Sequence, residues 1–193
     1  MLGAVILSPA TLDPIIAEMG AKYGIEPAWI KAHIKAESNW DVNASRFEAH
    51  KSDASWGLMQ VMLATGKEVL GDPNLTITKL TQPRVNIEIG TKFLKQLWTR
   101  FSNMRDAIAA YNAGSPRIDK KTGKYVNHAY VDKVMKNYET YKALGTSAVA
   151  EAVISARSAV EDVVESVDSA DNYSMYIALG MLGLGVVVIA NRD

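Results

Sequence analysis

Cysteine is absent from all 193 residues. Its absence excludes disulfides, thiolate nucleophiles and Cys-based metal sites, and says nothing about compartment, because many exported domains lack it. Aromatics make up only 8% of the chain, and helix formers dominate, which favours a mainly helical fold over an all-β one. His33, His50 and His128 show no metal-ligand spacing, so neither a metal nor another cofactor is expected. No Lys/Arg cluster interleaves with aromatics, and nucleic acid is not an expected partner. A basic n-region is also missing. The apolar run Leu2 to Leu7 is too short for a signal h-region and reads as a packed terminal segment, not an export signal. The formal net charge of zero conceals a division: residues 1–144 hold about 19 Lys+Arg against 14 Asp+Glu, and residues 145–193 about 2 against 7. A mildly basic body of this kind suits an anionic polymer or a membrane surface. The length accommodates one domain with a proper core plus an appendage.

Helix signals punctuate the body. Asp13-Pro14 reads as a capped helix start, with Ile15, Ile16, Met19 and Tyr23 as its apolar face and Gly24 as its stop. Glu26-Pro27 opens a second helix. A short helix is expected from about Thr65 to Gly71-Asp72-Pro73. Gln82-Pro83 opens a longer one to about Phe101, with Val85, Ile89, Phe93 and Leu97 as its stripe. Arg105 to Ala113 is a small Ala-rich helix closed by Gly114. Asn127 is the expected cap of the last helix of the body, which turns Val131, Val134, Met135, Tyr138 and Tyr141 inward and ends at Gly145.

The tail differs in kind. Residues 146–171 form an acidic Ala/Val-rich stalk helix in which Val149, Val153, Ala156, Val160, Val163 and Val167 recur at alternating spacings of four and three, a short seam able to support self-association. Residues 172–191 carry no charge for 20 residues, which meets the length of about 20 apolar residues that a bilayer span needs. Tyr173 and Tyr176 stand where an interfacial aromatic belt belongs. A transmembrane helix is expected there, with lipid as a partner.

The most informative stretch is residues 30–60. Ile30, His33, Ile34 and Glu37 fall at i, i+3, i+4 and i+7, one face of a helix. Three of these suit a core, but the fourth is a carboxylate in the last turn. Partly desolvated, such a group has its pKa raised towards the range of a general acid, or else is a boundary residue paired with a cation, the commoner case. Residues 39–56 form a long polar connection able to contain a small β-hairpin, and long ordered connections are usually functional. Read alone, Gly57-Leu58-Met59-Gln60 is a helix start.

Glu37-Ser38, then Gly57-Leu58-Met59-Gln60, then Ala110-Tyr111-Asn112-Ala113-Gly114, in this order and spacing, resemble the catalytic domain of lytic transglycosylases of the soluble (Slt) type, lysozyme-like enzymes that cleave peptidoglycan. The likeness covers about residues 10–145. It implies a mainly α, lysozyme-like α+β body over residues 1–145, a helical bundle around a substrate groove with at most a small β-hairpin. It also implies that Glu37 is the single acid/base cleaving the β-1,4 bond between N-acetylmuramic acid and N-acetylglucosamine. The substrate's acetamido oxygen replaces the second carboxylate that most glycosidases need, and the product carries a 1,6-anhydro end. Ser38 and Ser45 are expected near the acid or the acetamido group. Gly57, Leu58, Met59 and Gln60 would wall the groove, with Met59 as an adaptable apolar contact and Gln60 as donor and acceptor to the sugar. Tyr111 and Asn112 would line it, the Tyr111 hydroxyl pointing at the acid, and Tyr130 matches a later cleft aromatic. The chain departs from the family where Val126, Asn127 and His128 replace a usual Glu-Thr-Arg.

Two rivals follow from the same residues. A hydrolase of goose-lysozyme type shares the Gly-Leu-Met-Gln turn but carries an Asp two residues later, where this chain has Met62; Asp41, Glu48 and Asp53 are its candidate second carboxylates. A membrane-anchored peptidoglycan-binding protein without activity would keep the groove and lose the acid. The expected partners are therefore glycan strands of peptidoglycan and, through the tail, a lipid membrane. Membrane anchoring without an export signal fits an enzyme carried in the virion membrane of a bacteriophage, or otherwise one resident in the bacterial envelope.

Overall fold

The computed structural model describes residues 4–48, 53–168, 177–178 and 187–188. Its chain forms two compact units, Met1–Gly145 and Thr146–Asp193. In the first, helix α1 (Pro9–Tyr23) begins earlier than Asp13-Pro14 predicts, because Ser8 caps it by accepting from the Thr11 N–H and Pro9 takes the first position. Pro14 is tolerated inside the helix, and Asp13 pairs instead with Lys31 at 2.7 Å. The terminal segment before α1 packs only in part: Leu7 lies against the core. Val5 and Ile6 stay exposed, and the segment is held by backbone: Leu7 N–H donates to Trp40 O and Val42 N–H to Val5 O.

Helix α2 (Pro27–Glu37) starts and ends where the pattern places it. After it come three antiparallel strands, β1 (Ser45–Glu48), β2 (Asp53–Trp56) and β3 (Val61–Met62), in that order across the sheet. The sheet exceeds the expected hairpin by one strand because Gly57 to Gln60 is a tight turn and not a helix start. Gly57 has φ 74° and Gln60 φ 47°, a left-handed backbone that sends the chain back beside β2. Helices α3 (Leu63–Leu70), α4 (Ile77–Leu80), α5 (Pro83–Phe101) and α6 (Met104–Ala113) follow. Of these, α4 is too short to leave a periodic signal.

Helix α7 (His128–Asp168) runs through Gly145, where the sequence predicts a stop. Gly145 does not take the left-handed conformation that terminates a helix, unlike Gly24, Gly71 and Gly114. The core of the first unit joins Leu12, Ile16 and Met19 of α1, Ile30 and Ile34 of α2, Ile87, Ile89 and Leu94 of α5, Ile108 of α6 and Val131 and Val134 of α7 around Leu58 and Met59. Each such side chain contributes roughly 1.5–3 kcal/mol on burial.

In the second unit, α7 keeps Val149, Val153 and Ile154 exposed. The transmembrane helix expected over 172–191 falls almost wholly outside the described residues. Of the four that are described, β4 (Ile177–Ala178) pairs antiparallel with β5 (Val187–Val188), the β-branched Ile177, Val187 and Val188 suiting strands. Among the described residues, no helix is long and apolar enough to cross a membrane.

Candidate active site

The site forms where the C-terminus of α2 meets α7. Ile30, His33 and Ile34 are fully buried, which leaves Glu37, one turn on, at the boundary of the core and half-buried. Two residues just beyond it are strained: Asn39 and Trp40 both have positive φ, 53° and 71°. Such conformations cost about 1–3 kcal/mol each and survive only when the surroundings impose them. Here Lys35 Nζ donates to Asn39 Oδ1 at 2.6 Å, and Trp40 is buried with its indole N–H donating to the Tyr141 hydroxyl at 3.2 Å. The chain thus turns sharply away immediately after the acid.

Helix α7 runs antiparallel along α2 and grips it at successive turns. The Tyr130 hydroxyl donates to Glu37 Oε1 at 2.5 Å, Lys133 Nζ to Ala36 O at 2.7 Å, and Asn137 Nδ2 to Ala32 O at 3.2 Å. Tyr138 stacks on Trp29, with ring centroids 3.5 Å apart, and donates to Glu26 Oε2 at 2.9 Å. The Lys133 ammonium sits at the negative end of the α2 dipole and satisfies a terminal carbonyl there. The Tyr130 bond fixes the rotation of the Glu37 carboxyl through one oxygen, and charge-assisted bonds of this kind are the strong ones.

Tyr111 approaches from α6. Its ring lies between His33 and Phe93, at centroid distances of 5.1 and 5.3 Å, and its hydroxyl donates to Met59 O at 3.0 Å. The resemblance points this hydroxyl at the acid; the structure gives it to the backbone of the Gly57–Gln60 turn instead, and gives the direct contact with Glu37 to Tyr130. Burial and the nearby Glu37 charge hold the Tyr111 hydroxyl well above the usual tyrosine range. For Tyr130, burial, the Glu37 charge and the bond to it act the same way, opposed by the Arg46 guanidinium from β1. Both tyrosines therefore stay protonated and act as donors. His33 is buried with Nδ1 against Trp29 O at 2.9 Å, and burial pushes its pKa down to about 4, so the ring is neutral.

The Gly57–Gln60 turn is built inward. Asn86, fully buried on α5, accepts from Met59 N–H at 2.8 Å and donates to Trp56 O and Leu80 O. A Cβ on Gly57 would lie 2.7 Å from Asn86 Nδ2, so glycine is required there for space as well as for φ. Leu58 and Met59 are buried, and Met59 packs over Gly90 of α5 in place of the sugar contact expected of it. Gln60 donates to Ala44 O and Gly57 O and accepts from Ser55, so its amide braces the turn. Ser38 donates to Ile34 O at the end of α2. Ser45 is exposed at the start of β1, paired with Trp56. Asn112 is exposed and accepts from Asn127 Nδ2 at 3.0 Å. The Asn127 side chain does not cap α7; it turns back to α6, and Asn127 O takes the Tyr130 and Val131 N–H groups instead.

The structure thus brings Glu37, Tyr130, Tyr111 and the backbone of Met59 together. Sequence reasoning missed Lys133, Asn86 and Arg46. Lys133 lies one helical turn after Tyr130, which is the signal that could have found it. Among the described residues, no group of His, Asp and Glu is arranged to hold a metal.

An acid at a helix end, held by Tyr130 beside a turn-rich three-stranded sheet, defines a lysozyme-like architecture. Residues 14–134 match the family model described as "Transglycosylase SLT domain", and the chain belongs to that family. It is similar to a transglycosylase of Enterobacteria phage PRD1, 27% identical over 124 residues that cover 63% of this chain and 41% of that protein. It also resembles an inactive Glu→Gln mutant of the lytic transglycosylase Slt of Pseudomonas aeruginosa, at 25% identity and TM-score 0.59 over 71% of this chain and 25% of that one. A third likeness, to a 70-kDa soluble lytic transglycosylase in complex with bulgecin A, has 23% identity and TM-score 0.59 over 70% of this chain and 25% of that one, and shows the fold alone. The chain therefore spans less than half the length of these relatives.

Proposed function

We propose that this protein is a peptidoglycan lytic transglycosylase in which Glu37 is the single acid/base. Glu37 protonates the oxygen of the β-1,4 bond between N-acetylmuramic acid and N-acetylglucosamine, and the C1–O4 bond breaks as the acetamido oxygen closes on C1. The Glu37 carboxylate then takes the proton of the muramic C6 hydroxyl, and O6 displaces the acetamido oxygen to leave a 1,6-anhydro end. Glu37 finishes as it began, protonated, and no water is consumed.

The reading rests on one observation: the half-buried Glu37 carboxyl is held at the end of α2 by Tyr130, beside the Gly57–Gln60 turn that Tyr111 grips. The inactive Glu→Gln form of the Pseudomonas relative is in keeping with dependence on one carboxyl. Hydrolysis of the same bond is the second reading, and it needs a carboxylate to hold water. Asp41 Oδ1 already accepts from Val5 N–H and Asn43 N–H, and Asp53 Oδ1 from Ala54 N–H, which weighs against these two candidates, and the Glu48 side chain lies outside the described residues. Mass analysis of muropeptides released by the wild type and by Glu37→Gln tests both readings. Anhydro-muramic ends are expected from the wild type and none from a normally folded Glu37→Gln. Reducing ends would convert the enzyme to a hydrolase, and undiminished activity of the variant would remove Glu37 from the chemistry.

The role we assign is local opening of the cell wall by a phage-borne enzyme held at a membrane by the uncharged run 172–191, with the stalk residues 146–171 available for self-association. A phage relative is in keeping with this, and the 20-residue absence of charge supports it. Release of the protein from membranes by high salt, or its absence from purified virions, would count against this role.

A further inference from the structure

Val5 to Leu7 run as a short strap beside the turn that follows Glu37. Ile6 faces Asp41 in an antiparallel bridge. Leu7 N–H donates to Trp40 O at 3.1 Å, Val42 N–H to Val5 O at 3.0 Å, and Val5 N–H to Asp41 Oδ1 at 2.9 Å. The same carboxylate oxygen also accepts from Asn43 N–H at 3.0 Å. Apolar packing does not explain the strap: Val5 and Ile6 are exposed, and only Leu7 lies against the core. What the strap holds is the costly part of the chain. Asn39 and Trp40 take positive φ, and such backbone persists only where its surroundings impose it. The Trp40 ring meets Tyr141 edge-on, with 5.9 Å between centroids, and its indole N–H donates to the Tyr141 hydroxyl. The strap thus takes the backbone of the turn and Tyr141 its side chain. Both lie outside residues 14–134, the span that matches the family model, whereas Glu37 and Tyr130 lie inside it.

Lys133 and Tyr130 hold α2 only as far as Ala36 and Glu37. One residue later, Ser38 is bonded both ways. Its N–H donates to Ile34 O in the last turn of α2, and its carbonyl accepts from Asp41 N–H at 3.2 Å. Asp41 therefore ties the strap to the helix end through one residue. We propose that Val5 to Leu7 are a positioning strap for Glu37, fixing the acid by holding the turn at Asn39 and Trp40 in its strained form; the proposal rests on the transglycosylase reading above. A released turn relaxes to ordinary backbone and draws Ser38 and the last turn of α2 with it. The Glu37 carboxyl then shifts relative to the bond it protonates, and misplacement of a reacting group is felt in the chemical step.

The test uses the full chain with Val5→Pro and Leu7→Pro, each compared with its alanine counterpart, Val5→Ala and Leu7→Ala. Proline removes the N–H that the strap donates and is tolerated in edge strands, whereas alanine keeps the donor. Melting temperatures show which variants are folded, and Val5→Pro, at an exposed side chain, carries the test if Leu7→Pro unfolds. On intact peptidoglycan, kcat of the proline variants should fall roughly fivefold to tenfold with the half-saturating substrate concentration unchanged. The alanine variants should stay within about twofold of the wild type. Amide exchange at Ser38 and Asp41 should quicken about tenfold in the proline variants alone. Proline and alanine variants alike in kcat would overturn the proposal. So would a loss of kcat without faster exchange at the turn, or a loss carried by the half-saturating concentration, which would place the strap on the substrate. A wild type inert on peptidoglycan would remove the transglycosylase reading and this proposal with it, whereas an active wild type matched by Val5→Pro removes this proposal alone.

Discussion

Lowering the pH from 7.5 to 5 should destabilise the body of this protein through one residue, His33. The ring is fully buried between α2 and Tyr111, with Nε2 unpartnered among the described residues, and burial outweighs the bond to Trp29 O to bring its pKa down to about 4. In the unfolded chain the same ring titrates near 6.5. Above that value both states are neutral and the full stability is present. As the pH falls below it, the unfolded chain takes up a proton that the folded protein refuses, and stability drops by about 1.4 kcal/mol per unit until the folded pKa is reached. The loss is therefore about 2 kcal/mol at pH 5 and about 3 kcal/mol at pH 4, against the total of about 5–15 kcal/mol of an ordinary domain. Glu18 and Glu88, whose carboxyls are lowered by bonds to Arg84 and Lys22, lose their contributions only in the carboxylate range, and the difference between wild type and His33→Gln from pH 7.5 to 5 reads the histidine. Urea unfolding followed by tryptophan fluorescence is a suitable assay, because Trp29, Trp40, Trp56 and Trp98 all lie in the first unit. Wild type should lose about 2 kcal/mol across the window, and His33→Gln should be nearly flat. Parallel slopes in the two proteins, or an NMR titration of His33 in the folded wild type with a midpoint near 6.5, would refute the reasoning.

Three further outcomes are expected. Tyr130→Phe removes a charge-assisted bond worth roughly 1.5–3 kcal/mol and should lower kcat/KM by about 10- to 100-fold with little change in melting temperature; a loss under about threefold would mean the bond does not orient Glu37. Lys133→Met frees the end of α2 and should lower kcat by roughly threefold to tenfold with KM unchanged, Lys133→Arg restoring most of it; if KM moves and kcat does not, Lys133 contacts substrate instead of positioning the acid. Gly57→Ala places a methyl group against Asn86 at φ 74° and should cost about 2–4 kcal/mol, read as a fall in melting temperature by calorimetry; a wild-type value would show that the turn can relax.

The parts of the fold legible in the sequence are those fixed by local chemistry. Pro27, Pro83 and Gly114 mark helix ends because a missing donor or a left-handed residue acts within one turn, whatever lies beyond it. The same logic misleads at two places. Gly145 has the residue type of a stop, but a stop also needs a left-handed backbone, and α7 keeps its helical bonding through it. Asp13-Pro14 has the form of a start, but Ser8-Pro9 makes the same signal earlier, and the helix accommodates Pro14 in its interior despite a lost bond and a clash with the preceding turn, about 3 kcal/mol.

What periodicity could not reach is the pairing of positions far apart in the chain. Gly57 to Gln60 reads as a helix start because nothing within the tetrapeptide reveals Asn86, about thirty residues on, waiting to accept the Met59 N–H and to occupy the space a Cβ would need. Met59 reads as a sugar contact because Gly90, whose missing side chain admits it to the core, lies on another helix. The place of Glu37 was legible, since a position at the boundary of an apolar face is a local fact. Its environment was not: Tyr130 is 93 positions away, and Lys133 touches the carbonyl of Ala36 across 97. A carboxyl can be nominated from its own helix, but its rotation, its donors and the charge at its helix end are set by α7, and those decide whether it can deliver a proton.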